Sequence, residues 1–144
     1  MRRPIVYVIS SLKNDSVPVM AKKLRDAGFT AIDEWFAPGP EADDWWTRYE
    51  KARGNNFVQA LDSLHVEHVF NFDRRWLESS DAVVLLLPCG KSGHLEFGYA
   101  VGRGKKGVIV LDKEPERYDI MYRYADKVCY SMDEAVEFLR AIFV

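Results

Sequence analysis

Five short apolar runs separated by segments of helical periodicity constrain the fold of this 144-residue chain more than any other feature. The runs are rich in strand-forming residues and cover residues 4–9, 29–33, 82–87, 107–111 and 127–130. Apolar residues at helical spacing fill the stretches between and after them, at residues 17–27, 43–52, 57–77, 92–103, 118–124 and 133–142. Strands that alternate with helices form parallel sheets joined by right-handed crossovers. The sequence therefore predicts an α/β protein with a doubly wound, five-stranded parallel sheet.

Residues 38–77 are the elaborated part of this pattern, because two helical stretches lie between the second and third strands. Long connections of this kind carry lids or specificity elements in many enzymes. No repeat, low-complexity tract or linker divides the sequence. Residues 1–144 are therefore predicted to form a single domain.

The composition argues against several classes of partner. A formal net charge of -2 gives no reason to expect binding to nucleic acid or to an anionic membrane. Cys89 and Cys129 supply neither a disulfide framework nor metal-ligand spacing, and His65 and His68 lack the carboxylate pattern of a zinc site. We expect no metal and no cofactor. Residues 1–10 read as a first strand rather than a signal peptide or a membrane span, which predicts a cytoplasmic protein.

Glu96 is the candidate nucleophile. It lies in the segment that reads SGHLEFGYA, which opens a predicted helix directly after the strand at residues 82–87 and a turn through Gly90. Ligands of open parallel sheets bind at the carboxyl ends of the strands, where this helix begins. The small neighbours Gly93, Gly98 and Ala100 leave room for another molecule. The alternative is that Glu96 caps the helix and stabilises its dipole.

Other polar residues are predicted to meet Glu96 near the strand ends. Tyr7 lies in the first strand, Asp73 lies one helical segment before the third strand, and Asp81 precedes that strand directly. When carboxylates lie close together, the pKa of one is raised above that of the other, so that one stays ionised and the other protonated. This suits glycosyl chemistry, in which one carboxylate attacks the sugar and another assists the leaving group. The alternatives are a core position for Tyr7, a solvated helix position for Asp73 and a turn or cap role for Asp81.

These residues together resemble the nucleoside 2-deoxyribosyltransferase family. The resemblance spans residues 5–128, and its most specific part is the run Glu-x-Gly-Tyr-Ala after a buried strand; the matching positions are Tyr7, Asp73, Asp81, the SGHLEFGYA segment and Asp119 to Met121. The resemblance implies a flavodoxin-like fold and a homodimer or a larger homo-oligomer. It also implies a small-molecule nucleoside or nucleotide and a nucleobase as ligands.

The resemblance also implies a role for each matching residue. Glu96 would attack C1′ of a deoxynucleoside, release the base and hold the sugar as an ester until a second base takes it. Tyr7 would orient the nucleophile, and Asp73 would lie in the same pocket. Asp119 and Met121 would reach the site of a neighbouring subunit.

The sequence departs from the family pattern at two positions. Gly90 stands where the transferases carry an aspartate that handles the base, and Asp119 replaces an asparagine. The departure at Gly90 brings in a related group, the N-glycosidases of nucleoside monophosphates, which hold a 5′-phosphate with serines and glycines. Candidate residues for such a cradle are Ser10, Ser11, Lys13, Lys91, Ser92 and Gly93. The first loop lacks the glycines and arginine usual in that group, which favours a nucleoside over a nucleotide.

Three functions remain open from the sequence. The leading one is a pentosyltransferase that moves deoxyribose between nucleobases. The second is a hydrolase that cleaves the N-glycosidic bond of a nucleoside or its monophosphate. The third is a non-catalytic sensor of a nucleotide derivative, which keeps the pocket without turnover.

Overall fold

A parallel sheet of five strands, with helices on both faces, forms the centre of the computed structural model, which describes residues 2–144. Met1 lies outside the described residues, although the predicted domain and the segment read as a first strand, residues 1–10, both include it. The strands are β1 (Ile5–Ile9), β2 (Thr30–Ile32), β3 (Ala82–Leu86), β4 (Lys106–Val110) and β5 (Lys127–Cys129), in the spatial order β2-β1-β3-β4-β5. This is the strand order of flavodoxin-like folds, and it confirms the predicted doubly wound sheet.

Six α-helices connect and flank the strands: α1 (Val17–Asp26), α2 (Ala42–Ala52), α3 (Phe57–Ala60), α4 (Leu64–Ser79), α5 (Lys91–Gly102) and α6 (Met132–Phe143). The helix α1 ends at Asp26 and is followed two residues later by Gly28, whose φ of 99° is a left-handed conformation that glycine adopts without strain. Two short 3-10 helices, Glu34–Phe36 and Ile120–Tyr124, complete the elements. No helix within residues 2–144 has the length and apolar character to cross a membrane.

The central strands β1 and β3 are buried on both sides because alternate side chains enter two separate cores. Val6 and Val8 pack with α1 and α6, whereas Tyr7 and Ile9 pack on the opposite face with residues of α4 and α5, among them Leu77. Alternation along a strand places successive side chains on opposite faces. Tyr7 therefore belongs to the layer that also contains the helices of the candidate site.

Two predicted helices take a different form in the structure. The helical pattern at residues 57–77 is divided into α3 and α4, because the Ser63 hydroxyl accepts a hydrogen bond from the Val66 amide and starts a new helix. The pattern at residues 118–124 forms the 3-10 helix Ile120–Tyr124. Glu34–Phe36 was not predicted, since three residues carry too little periodicity to reveal a helix.

Candidate active site

Glu96 lies at the carboxyl end of the sheet because α5 begins five residues after β3 ends. The side chain is half-buried on the second turn of α5. Asp73 on α4 is the second carboxylate near it, and Tyr7 on β1 contributes a phenol from below. The residues come from three elements and meet on the same face of the sheet. Among the predicted site residues, the structure brings these three together.

Burial, and after it the negative charge of Asp73, together raise the pKa of Glu96 to about 8. The pKa of Asp73 is also raised by burial, but the Tyr7 hydroxyl lowers it in opposition. Asp73 therefore ionises first as the pH rises, and Glu96 keeps its proton longest. A carboxylate pair of this kind titrates as a unit.

Tyr7 is 2% exposed and stays protonated, because burial and then the charges of Glu96 and Asp73 raise the pKa of its hydroxyl. The hydroxyl acts on Asp73 as a hydrogen-bond donor would, although the pair falls outside standard hydrogen-bond geometry in the described residues. Glu96 raises the pKa of Tyr7 through its negative charge alone. The tyrosine thus lies near both carboxylates. A buried phenol in this position can orient a carboxylate but cannot serve as a base.

Gly93 allows α5 to approach the sheet closely. A Cβ atom at this position would lie 2.1 Å from the Cys89 Sγ atom and 3.1 Å from the Ile9 Cγ2 atom. The backbone amides of Gly90 and Gly93 also face the Cys89 sulfur, where they counteract the rise in its pKa that burial and Glu96 cause. The sulfur therefore fills the space at the start of α5 that a phosphate cradle through Gly93 would use.

Ser10 and Ser11 are both engaged in hydrogen bonds within the protein. The Ser10 hydroxyl donates to the Leu86 carbonyl oxygen at 2.7 Å and accepts from the buried Asn14 amide at 3.0 Å. The Ser11 hydroxyl accepts from the Lys13 amide at 3.1 Å, which leaves its proton free to donate. Ser92 and Gly90 are exposed at the start of α5. Ser10 is thus a structural link between the ends of β1 and β3.

His94 and Tyr122 form a contact that the sequence did not predict. The His94 Nδ1 atom lies 2.7 Å from the Gly90 carbonyl oxygen, and the Nε2 atom lies 2.8 Å from the Tyr122 hydroxyl. Because a carbonyl only accepts, Nδ1 donates to Gly90, and Nε2 shares the second hydrogen bond with the Tyr122 hydroxyl. The two rings also stack, with centroids 5.7 Å apart. The pair fastens the 3-10 helix to the start of α5, beside Cys89.

Asp119 and Met121 are both exposed at the 3-10 helix. The Asp119 carboxylate accepts a hydrogen bond from the Met121 amide at 2.8 Å and so caps this helix. Burial is the main cause that raises the pKa of Tyr122, and the charge of Asp119 is the next. The charge of Asp119 does not contribute to the raised pKa of Glu96. These two residues are therefore exposed and do not join the carboxylate pair within the chain.

Asp81 lies at the opposite end of the sheet from Glu96, so the prediction that the two meet is wrong, and its contacts fit the alternative of a turn or cap role. Its carboxylate accepts two hydrogen bonds of 2.9 Å from the Arg2 guanidinium and one of 2.8 Å from the Ile5 amide. The Arg2 side chain holds the pKa of Asp81 below its usual range. A residue directly before a parallel strand lies at the amino end of the sheet, which is the physical reason for this placement.

Side chains that could ligate a metal are not clustered in the described part of the chain: no group of three or more His, Cys, Asp or Glu residues is arranged for it. The carboxylates, phenol and thiol of the candidate site instead form an acid–base cluster. Such a cluster can support proton transfer and attack by a carboxylate on carbon.

No protein-family model matches the sequence, and a search of curated proteins finds no match. Solved structures do match. The fold is similar to that of a deoxyribosyltransferase. This 2-deoxyribosyltransferase, from the psychrotolerant bacterium Bacillus psychrosaccharolyticus, is 14% identical and superposes with a TM-score of 0.64 over 92% of this chain and 90% of that one. A CMP N-glycosidase from Clostridium botulinum is 15% identical, with a TM-score of 0.57 over 94% of this chain and 97% of that one. At these identities the likeness shows a common fold.

Proposed function

We propose that this protein cleaves the N-glycosidic bond of a deoxynucleoside through attack by Glu96 and transfers the sugar to another nucleobase. The observation that carries the proposal is the meeting of Glu96, Asp73 and Tyr7 at the carboxyl end of the sheet. The sequence resemblance to the nucleoside 2-deoxyribosyltransferase family and the fold shared with a 2-deoxyribosyltransferase support it. Neither a metal nor a cofactor takes part in the proposed steps.

The first step uses the single proton that the carboxylate pair holds near neutral pH. When this proton lies on Asp73, the Glu96 carboxylate is free to attack C1′ of the sugar. The bond between C1′ and the base nitrogen breaks, a bond between C1′ and a Glu96 oxygen forms, and Asp73 donates its proton to the departing base. Tyr7 orients Asp73 for this donation through its buried hydroxyl.

The second step reverses the first with a new base. A nitrogen of the incoming base attacks C1′ and displaces the Glu96 carboxylate, while Asp73 accepts the proton that this base releases. Two displacements at the same carbon give net retention of configuration. The pair returns to its singly protonated state.

Hydrolysis is the second candidate, because the fold is also similar to that of a CMP N-glycosidase. Water would then displace Glu96 in place of a base. Gly90, which is exposed and lacks the carboxylate expected of a transferase, supports this alternative. The Ser10 hydroxyl, which already donates to Leu86, and the Cys89 sulfur, which faces the Gly93 amide, favour a nucleoside over a 5′-monophosphate in either case.

We further propose that the protein works as a homodimer or a larger homo-oligomer. Apolar side chains are exposed along α3, the first half of α4 and the 3-10 helix: Phe57 68%, Val58 71%, Leu64 83%, Phe70 58%, Ile120 78% and Met121 58%. Exposed apolar surface of this extent is typical of an interface. A recess of about 590 Å³ beside Asp119 and Val128 lies next to part of this surface.

Incubation with deoxyadenosine, deoxycytidine or deoxyuridine, with and without a second free base, tests the function. Chromatography should reveal a new deoxynucleoside only when the second base is present. Free base and deoxyribose formed without it indicate the hydrolase. Absence of any product from nucleosides and monophosphates, together with measurable binding, would overturn both reactions in favour of a sensor.

A further inference from the structure

Tyr99 lies on α5 three residues after Glu96, and the proposed reaction gives it no role. Its hydroxyl donates a short hydrogen bond to the Glu78 carboxylate on α4. The same Glu78 oxygen accepts from the Arg74 Nε atom at 3.0 Å, and the Glu78 carbonyl accepts from the Lys105 ammonium at 2.7 Å. The Tyr99 hydroxyl on α5 and the Lys105 ammonium in the turn after it thus hold the end of α4. The three hydrogen bonds converge on one residue.

The helix α4 has few other attachments. Leu77 is the one buried residue among its 16, and Trp76 packs beside it as a partly buried side chain. The first half of the helix exposes apolar residues such as Leu64 and Phe70. The position of α4 on the sheet therefore depends on its last turns, where Glu78 lies.

The hydrogen bond between Tyr99 and Glu78 lies close to the carboxylate pair on both helices. Asp73 is four residues before Leu77 and shares its face of α4, so the seating of Leu77 and Glu78 sets where Asp73 lies. On α5, Tyr99 is about 4.5 Å along the helix axis from Glu96. A helix is stiff over such a distance, so a contact at one turn fixes the neighbouring turn.

We propose that the hydrogen bond between Tyr99 and Glu78 is a positioning contact that holds Asp73 beside Glu96. Tyr99 and Glu78 are positioning residues and touch no substrate. Without their contact, α4 moves away from α5, the carboxylate of Asp73 recedes from that of Glu96, and water enters between them. The proposal deepens the proposed function, on which its effect on turnover rests, but its effect on Glu96 does not require turnover.

The titration of Glu96 reports on this separation. The groups that face Glu96 are Asp73 from α4, Tyr7 from β1 and Cys89 from the loop before α5. Of these, Asp73 is the one that lies on α4 and bears a charge near neutral pH. Both the receding charge and the entry of water lower the pKa of Glu96. The two effects have the same sign.

The test is an NMR titration of Glu96 in the protein without substrate, with carbon-13 in the glutamate side chains and the signal assigned by its loss in Glu96→Gln. We expect Tyr99→Phe and Glu78→Ala each to lower the pKa of Glu96 by about half a unit or more. Glu78→Gln should keep the wild-type value, since its amide oxygen still accepts from Tyr99 and Arg74. With an active enzyme, kcat should fall roughly tenfold in the first two variants, with a smaller change in KM.

Tyr130→Phe is the matched control. It removes another hydrogen bond from a tyrosine to a glutamate, the 3.2 Å contact with Glu114, at a distance from α4 and α5. This variant should titrate as the wild type does. An unchanged Glu96 titration in folded Tyr99→Phe, or in Glu78→Ala if the first variant does not fold, would overturn the positioning role. A lowered pKa in a protein without turnover would instead uphold the positioning contact and refute the proposed function.

Discussion

At the scale of single residues, the chemistry of the site depends on which carboxyl group carries a proton. Burial and the charge of Asp73 act on Glu96 in the same direction and raise its pKa to about 8. Asp73 is less affected because Tyr7 opposes the effect of its burial. The pair therefore holds one proton between the two ionisations. The proposed reaction needs that state, with the proton transferred to Asp73 before attack.

This proton count predicts a bell-shaped dependence of kcat/KM on pH. Below the raised pKa of Asp73 both groups are protonated and no nucleophile exists, whereas above about 8 the pair has lost the proton that the leaving base requires. Activity should therefore rise through the first ionisation and fall through the second. Initial rates with deoxyadenosine across this range measure it. A rate that keeps rising above pH 8 would mean that Asp73 does not supply the proton.

At the scale of elements, the start of α5 decides whether Glu96 reaches the site. We expect Gly93→Ala to destabilise the protein by about 1–3 kcal/mol, because its new methyl group would overlap the Cys89 sulfur. Denaturant unfolding measures the loss. Combining it with Cys89→Ala should restore most of the stability, since the sulfur is the nearest obstacle.

Gly98→Ala is the control in the same helix, where a Cβ atom meets nothing within 4 Å. It should leave stability unchanged or raise it, because alanine favours a helix over glycine. Equal losses in the two variants would show that the close approach at Gly93 is not the cause.

The elements were readable from the sequence because each strand is an apolar run between turn residues and each long helix has its own apolar spacing. The site was readable only in part. Asp81 was misplaced although it directly precedes a predicted parallel strand, because strand direction puts such a residue at the end of the sheet opposite Glu96. The contact of His94 with Tyr122 joins residues 28 apart, and no local pattern encodes it.

At the scale of the whole molecule, the exposed apolar side chains suggest that one copy of the chain is incomplete. The helix α4 leaves most of its first half uncovered, and the 3-10 helix exposes Ile120 and Met121. We predict that a second copy of the chain covers these side chains. Sequence resemblance supplied the idea of an oligomer, and the positions of these residues suggest where it forms.

Sedimentation velocity tests this prediction. The wild type should sediment as a dimer or larger, and Leu64→Asp and Ile120→Asp should shift it toward the monomer, because a charge in an apolar interface is costly. Val19→Asp is the control, since Val19 is an apolar residue of α1 that is 49% exposed and lies outside the proposed interface. A monomeric wild type at micromolar concentration would contradict the assembly.

The most direct measurement of the central claim is the capture of the sugar on Glu96. The protein is mixed with deoxyadenosine without an acceptor base, quenched in acid and digested, and its peptides are analysed by mass spectrometry. The account predicts one added deoxyribosyl group on the peptide that contains Glu96, lost when a free base is added before the quench and absent from Glu96→Gln. Undiminished turnover by Glu96→Gln, or the sugar attached to another residue, would contradict it.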